Sequence, residues 1–170
     1  MRQAAHYYST DSLGAEHQTV LRALDKLEKY SKLWGTGNAA SDAEAKAGLE
    51  EVLVFLDQEL ELHLKKEEVA LFPAMEAVIG KDGPTFVMLM EHEDLRKYVA
   101  QLNSLVPTLG EADADKAKQL QRTGDYICRL LRGHIEKEDT VLFPMANQVV
   151  SPAEMSKVDD KVRELDAEKK

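Results

Sequence analysis

Two copies of one eleven-residue phrase lie about seventy residues apart in this chain. Residues 63–73 read HLKKEEVALFP, and residues 134–144 read HIEKEDTVLFP. In each copy a His precedes a Glu by four residues, which places both side chains on one face of an α-helix. A Glu-His pair, Glu16-His17 or Glu91-His92, precedes each copy by a little over forty residues. Imidazoles and carboxylates on facing helices can hold a pair of transition-metal ions. The repeat therefore predicts a helical bundle around a dinuclear metal site.

Length and charge limit the alternatives. A chain of 170 residues is expected to form one domain. The net charge of −9 argues against nucleic acid and anionic membranes as partners. The single Cys128 excludes an internal disulfide framework, and no apolar run approaches the roughly 20 residues of a membrane span. Residues 1–10 lack the apolar segment of a signal peptide. We expect a cytoplasmic protein.

Apolar residues recur with helical periodicity in four long stretches. The first stretch is expected to begin after residues 9–11 and to end at Gly35 and Gly37. The second should start near Ser41, with Glu44 as its capping-box partner, and Pro73 should remove a helical hydrogen bond.

The third stretch should start at Pro84 and close around Pro107 and Gly110, and the fourth should end at Pro144. A short fifth helix is expected to open at Ser151. The fold class is therefore all-α: an antiparallel up-down-up-down four-helix bundle over residues 1–150, with a C-terminal amphipathic helix over residues 151–170 appended to the same domain.

Four histidines fall on the apolar stripes of four different helices, and two of them carry a Glu one turn further on. A lone His on such a stripe is more often a hydrogen-bonded core residue than a metal ligand. Two carboxylates buried without a cation would each cost several kcal/mol. A metal pair removes that cost. The candidate metal ligands are His17, His63, Glu67, His92, His134 and Glu138.

These residues resemble the motif of the hemerythrin-like, or HHE cation-binding, proteins, and the resemblance covers about residues 10–147. It implies a four-helix bundle with two iron ions in a non-haem centre. The four histidines would be terminal ligands, and Glu67 and Glu138 would bridge both ions. An oxo or hydroxo bridge would leave about one open position per iron. Zinc or manganese stays possible, since imidazole–carboxylate sites discriminate poorly among divalent metals.

The chain departs from the oxygen-carrying members of that family, which have a fifth His one turn from another on the third helix. Here the positions one turn from His92 are Met88 and Arg96. His6 and Glu59 are weaker candidates for an extra ligand, and a surface role is expected for both. The remaining set of four His and two Glu is similar to that of bacterial iron-centre repair proteins. The Cys-bearing segment that those proteins usually carry at the N-terminus has no counterpart in residues 1–10.

Two classes of function follow. The first is a di-iron protein that binds or responds to oxygen, nitric oxide or peroxide, or stores and donates iron. The alternative is a di-iron enzyme that reduces nitric oxide or decomposes peroxide. Whether the site turns over is left open, and either a monomer or a homodimer is compatible with the sequence. Glu16, Glu91 and Glu93 adjoin candidate ligands, but neighbours on a helix point about 100° apart. We therefore expect these three carboxylates to face solvent.

Overall fold

The computed structural model describes residues 5–169, and this part of the chain contains helices and no strands. The first helix, α1, spans Tyr8–Leu33, and the third, α3, spans Pro84–Leu105. The second, α2, is continuous over residues 39–79, and the fourth, α4, over residues 114–149. The fifth, α5, spans Pro152–Ala167. Short connectors make successive helices antiparallel. The all-α bundle with a short C-terminal helix is confirmed.

Local sequence sets most helix starts. The Asn38 side chain accepts hydrogen bonds from the backbone of Ala40 and Ser41, and Ser41 bonds back to Asn38. Ser41 was therefore placed wrongly as the N-cap, because it is the third residue of a capping box that Asn38 opens. Pro84 and Ser151 occupy the expected starts of α3 and α5. The start of α1 was also placed late, since that helix begins at Tyr8.

Neither Pro73 nor Pro144 ends its helix, contrary to the sequence-based expectation for α4. One π-helical turn precedes each proline, at Glu67–Leu71 and Glu138–Leu142. The following α-helical segments, Phe72–Ile79 and Phe143–Val149, each contain the proline in their first turn. The wider π turn before each proline lets the helix continue past a residue that has no N–H to donate. Each π turn begins at one of the two candidate bridging glutamates.

Two apolar clusters form the core. The larger lies toward the α1–α2 turn and includes Leu24, Leu49, Leu102 and Ile127. The smaller joins the N-terminal part of α1 and the post-proline segments of α2 and α4 to α5. Met155, Val158 and Val162 place the buried face of α5 in this smaller cluster, which explains its amphipathic pattern. Within residues 5–169, none of the helices has the length and apolarity needed to cross a bilayer.

Close packing of α1 on α4 depends on a small residue. A Cβ atom added at Gly124 would lie 2.9 Å from Ser31 Oγ and 3.1 Å from Ser31 Cβ. A Cβ atom added at Gly133, on the same helix, would meet no neighbouring atom within 4 Å. Both glycines lie in the helical backbone of α4, but only Gly124 is packed closely against a neighbouring helix.

Gly133→Ala should raise the free energy of unfolding of the metal-free protein by up to about 1 kcal/mol, because alanine loses less entropy in a helix. Gly124→Ala should leave the protein about 1–3 kcal/mol less stable than Gly133→Ala, because its methyl group overpacks the contact with Ser31. Urea unfolding followed by circular dichroism measures both. Equal stability of the two variants would contradict the close approach of α1 and α4.

Candidate metal centre

All four bundle helices contribute to one buried layer of polar side chains. His17 comes from α1, His63 and Glu67 from α2, His92 from α3, and His134 and Glu138 from α4. Each of the six is buried, and both glutamates have no exposed surface. The structure thus brings together all six residues that the sequence singled out. Metal binding by these residues stays a prediction.

The six side chains form two overlapping groups of four. In each group, one ligand atom per residue lies within 4.8 Å of the others. One group contains His17 and His63, the other contains His92 and His134, and both contain Glu67 and Glu138. Each glutamate directs one oxygen toward each half, which is the arrangement of a bridging carboxylate.

His92 Nε2 and His134 Nε2 form a hydrogen-bonded pair 3.1 Å apart, whereas the imidazole nitrogens and carboxylate oxygens that face each other in this layer lie close without forming good hydrogen bonds. The distances from imidazole Nε2 to carboxylate oxygen are 3.3 Å for His63–Glu67 and His92–Glu67, 3.0 Å for His17–Glu138 and 2.9 Å for His134–Glu138. Even so, both carboxylate oxygens of Glu67, both of Glu138, and His17 Nε2 lack a hydrogen-bond partner. These atoms are close together because they all point to a common centre. They do not form hydrogen bonds because none of them points directly at another. Buried, unpaired oxygens and nitrogens around a centre are the donor set that a divalent cation needs. The residues present therefore fit a pair of metal ions.

Each imidazole uses its other nitrogen, Nδ1, to contact a carboxylate. The pairs are His17–Asp139 at 2.8 Å, and His63–Glu16, His92–Glu68 and His134–Glu91 at 2.7 Å. A carboxylate accepts hydrogen bonds, so Nδ1 is the donor, and Nε2 is the nitrogen that is available to a metal ion at the centre of the layer. Such partners fix the ring orientation and raise ligand basicity in metal sites.

The solvent-facing role expected for Glu16 and Glu91 was wrong. Each bonds a histidine on the next helix and not the histidine beside it in sequence, because a neighbour on the same helix points away. The expectation holds for Glu93, which is exposed. A sequence signal for these partners existed in the repeat itself. In both halves, one partner directly precedes the first His, and the other, Glu68 or Asp139, directly follows the bridging Glu.

Basic side chains hold three of these four partner carboxylates. Lys66 contacts Glu16, Lys137 contacts Glu91, and Arg96 lies 2.8 Å from Glu68. Burial raises the pKa of Glu16, Glu68 and Glu91, but hydrogen bonds and charge from His and basic partners outweigh it, so all three pKa values lie below the ordinary range. Within residues 5–169, Asp139 has no basic partner.

Two imidazoles of the layer, those of His63 and His134, have raised pKa values. Burial lowers the pKa of His63, but the charge of Glu67 and the hydrogen bond to Glu16 raise it further, to about 10. Burial also lowers the pKa of His134, but its contacts with Glu138 and Glu91 raise it further, to about 9. Burial acts to raise the pKa of Glu67, yet the positive charge on His63 holds it well below its usual range. The layer therefore favours positive charge beside an ionised Glu67.

The Phe of each Leu-Phe-Pro phrase covers an imidazole of the opposite half. Phe72 stacks on His92 with ring centroids 5.7 Å apart, and Phe143 stacks on His17 at 5.6 Å. Both rings belong to the smaller apolar cluster. The phenylalanines thus separate the polar layer from the α5 end of the bundle and keep its dielectric low, which strengthens charge interactions inside.

The weaker candidates lie elsewhere. His6 is 77% exposed and lies 3.5 Å from Asp11, and Glu59 pairs with Lys169 at 2.5 Å. Neither belongs to the two groups of candidate ligands. Cys128 is buried in the larger apolar cluster, and burial raises the pKa of its thiol to about 11.

The two positions one turn from His92 offer no further ligand. Met88 packs in the smaller apolar cluster, and Arg96 is engaged by Glu61 and Glu68. Neither position therefore supplies a metal ligand in place of the fifth imidazole.

Comparison with known proteins assigns the family. The family model described as the Hemerythrin HHE cation binding domain matches residues 8–146 and also residues 84–168. The chain belongs to this family of cation-binding helical bundles. The second match begins at α3, as expected from two similar halves.

Curated relatives are also similar over part of the chain. Iron-sulfur cluster repair protein YtfE of Citrobacter koseri is 35% identical over 104 residues, which are 58% of this chain and 47% of that protein. The proteins of that name from Salmonella schwarzengrund and from Escherichia coli O1:K1 are 35% identical over 107 residues and 33% identical over 104 residues, with the same two coverages. The chain spans about half the length of the curated relatives it matches.

Glu91→Ala should weaken metal binding about 10- to 100-fold, because it removes the Nδ1 partner of His134. Glu93→Ala, two residues away on the exposed face, should leave affinity unchanged. Competition of the metal-loaded proteins with a coloured chelator measures both affinities. Equal affinity in the two variants would show that the Nδ1 contact has no role in metal binding.

Proposed function

We propose that this chain binds two iron ions in a non-haem centre, with a solvent-derived oxide or hydroxide between them. His17 and His63 bind one ion, His92 and His134 bind the other, and Glu67 and Glu138 bridge both. The observation that carries the proposal is the set of buried ligand atoms without hydrogen-bond partners. Bound iron would offset the free-energy cost of burying these atoms, which is high for a carboxylate without a partner.

Charge supports the same stoichiometry. Glu67 and Glu138 are the two carboxylates without exposed surface in the layer. Together with one hydroxide they carry three negative charges, against the four positive charges of two ferrous ions. The buried layer would therefore hold little net charge with both ions bound.

The centre is proposed to act in iron handling: it binds small ligands such as oxygen, nitric oxide or peroxide, and it stores and donates iron. Two imidazole nitrogens and two carboxylate oxygens per ion leave coordination positions for such ligands, and iron bound there supplies one-electron redox chemistry. The protein residues orient the donors and exclude bulk water. The relatives are named as iron–sulfur cluster repair proteins, which supports iron donation as the use of this centre. A cytoplasmic location stays a prediction.

The partner carboxylates favour this function over the enzymatic alternative. Reduction of nitric oxide or decomposition of peroxide by general acid–base chemistry needs a proton donor within hydrogen-bond reach of the reacting ligand. Apart from Glu67 and Glu138, the carboxylates that contact the imidazoles in the described chain all do so at Nδ1, on the side away from the centre. The site is therefore arranged for holding metal.

Anaerobic, iron-loaded, reduced protein tests the function optically. We expect air to oxidise the centre rapidly and irreversibly, because neither Met88 nor Arg96 supplies the ligand that closes one iron in oxygen carriers. Anaerobic nitric oxide should give a spectrally distinct adduct. Reduced protein should also transfer its iron to an added chelator faster than oxidised protein does, as donation requires.

Two variants serve as controls for the optical experiment. His6→Ala should behave like the wild type, and Glu67→Ala should lose the spectral signature of coupled iron. A colour change that reverses repeatedly on removal of oxygen would contradict the proposal in favour of carriage. Protein that takes up zinc or manganese but not iron would contradict the choice of metal.

A further inference from the structure

One lysine of the metal layer is almost completely buried. Lys66, on α2, is 1% exposed, and its ammonium contacts Glu16 of α1 and lies 2.9 Å from Asp166 of α5. Lysines are rarely buried unless they are paired. The ammonium therefore joins three helices.

This lysine leads directly to a candidate ligand. One oxygen of Glu16 contacts Lys66, and the other lies 2.7 Å from His63 Nδ1. The contacts form a continuous series from Asp166 through Lys66 and Glu16 to His63. A residue on the C-terminal helix is thus linked to an imidazole in the middle of the bundle.

The other half of the site lacks this connection. Lys137 occupies the position of Lys66 in the second copy of the repeat and contacts Glu91, the partner of His134. Its side chain is 44% exposed, and within residues 5–169 Glu91 is its one carboxylate partner. The two halves therefore differ at Asp166, which has no counterpart beside Lys137.

The C-terminal helix also borders a cavity that reaches His63. This cavity, of about 240 Å³, lies between α1, α2 and the end of α5, and its lining includes Glu16, His63, Lys66 and Asp166. α5 contacts α1 and the second half of α2. If α5 moved away, the cavity would open to solvent on the Nδ1 side of His63.

We infer that Asp166 is a positioning residue for the metal ion held by His17 and His63, so that its contact with Lys66 sets how firmly that ion is retained. The inference rests on the proposed di-iron centre. It concerns one ion of the pair, because the series of contacts from Asp166 ends at His63.

The physical reason is the charge balance around Lys66. A buried ammonium that loses one of two carboxylates is costly, so Lys66 should turn toward water through the cavity. Glu16 then loses its cation and holds the His63 ring less firmly. A ligand whose outer partner is loosened releases its metal more easily.

Release of iron from the loaded full-length chain to an excess of ferrous chelator tests the inference. The two ions of the wild type should be released at two rates that can be measured separately. Asp166→Ala should accelerate one of the two ions about tenfold, a fraction of the effect expected for direct loss of an imidazole partner, and should leave the other within about twofold. Lys66→Met should accelerate the same ion, and Asp166→Glu should restore slow release.

Two control variants separate this effect from simple loosening of α5. Asp159→Ala removes another tie of α5 to α1, since Asp159 accepts a hydrogen bond from the Ser9 backbone at 2.8 Å. Lys65→Ala removes an exposed pair between α2 and Glu168 of α5. Both should release iron as the wild type does, and thermal melting of the metal-free proteins confirms that all variants fold.

Equal acceleration in Asp159→Ala and Asp166→Ala, or acceleration of both ions together, would overturn the inference, because either result reports general destabilisation. Unchanged release in Asp166→Ala would also overturn it. A wild type that holds fewer than two ions would instead refute the proposed di-iron centre, so the two failures are distinguishable.

Discussion

The burial of two carboxylates, Glu67 and Glu138, is the constraint on which the rest of the structure depends. Neither has exposed surface or a hydrogen-bond partner for its oxygens. Leaving two such charges in a core would cost more than a domain's marginal stability allows, unless cations lie between them. His63 and His134, whose pKa values are raised, can supply that positive charge as protons, and the Nε2 atoms of all four imidazoles face the position that metal ions would take. The bundle is thus held together at its middle by charge and at both ends by apolar packing.

The two-fold repeat of the sequence becomes a two-fold arrangement of contacts. Each half provides two imidazoles, one bridging carboxylate, two Nδ1 partners, one lysine and one phenylalanine. Most of these contacts run between helices, so each half completes the other. The departures from symmetry are at Arg96, Asp139 and Asp166. Arg96 holds Glu68 while Asp139 has no basic partner in the described chain, and Asp166 secures Lys66 while Lys137 lies near solvent. These differences in surroundings would make two chemically similar ions behave differently.

Much of this could be predicted from the sequence. Helical periodicity gave the five helices, and the four-residue spacing of His63 and Glu67 placed both on one face, since that spacing is a property of a single helix. The Nδ1 partners were missed because they bond across helices, and one-helix geometry places Glu16 and Glu91 on the outside. The prolines were misread for a similar reason. Propensity alone marks Pro144 as a helix end, whereas the preceding π turn lets α4 continue and carry Phe143 onto His17. The link from α5 to His63 depends on tertiary packing and has no signature in the sequence.

Crystals of the iron-loaded protein, measured at the iron absorption edge, test the central claim most directly. The account predicts two anomalous peaks roughly 3.5–4 Å apart, the spacing of bridged pairs. One peak should be bound by Nε2 of His17 and His63, the other by Nε2 of His92 and His134, with Glu67 and Glu138 between them. A single peak, or peaks bound by residues outside this layer, would contradict the account.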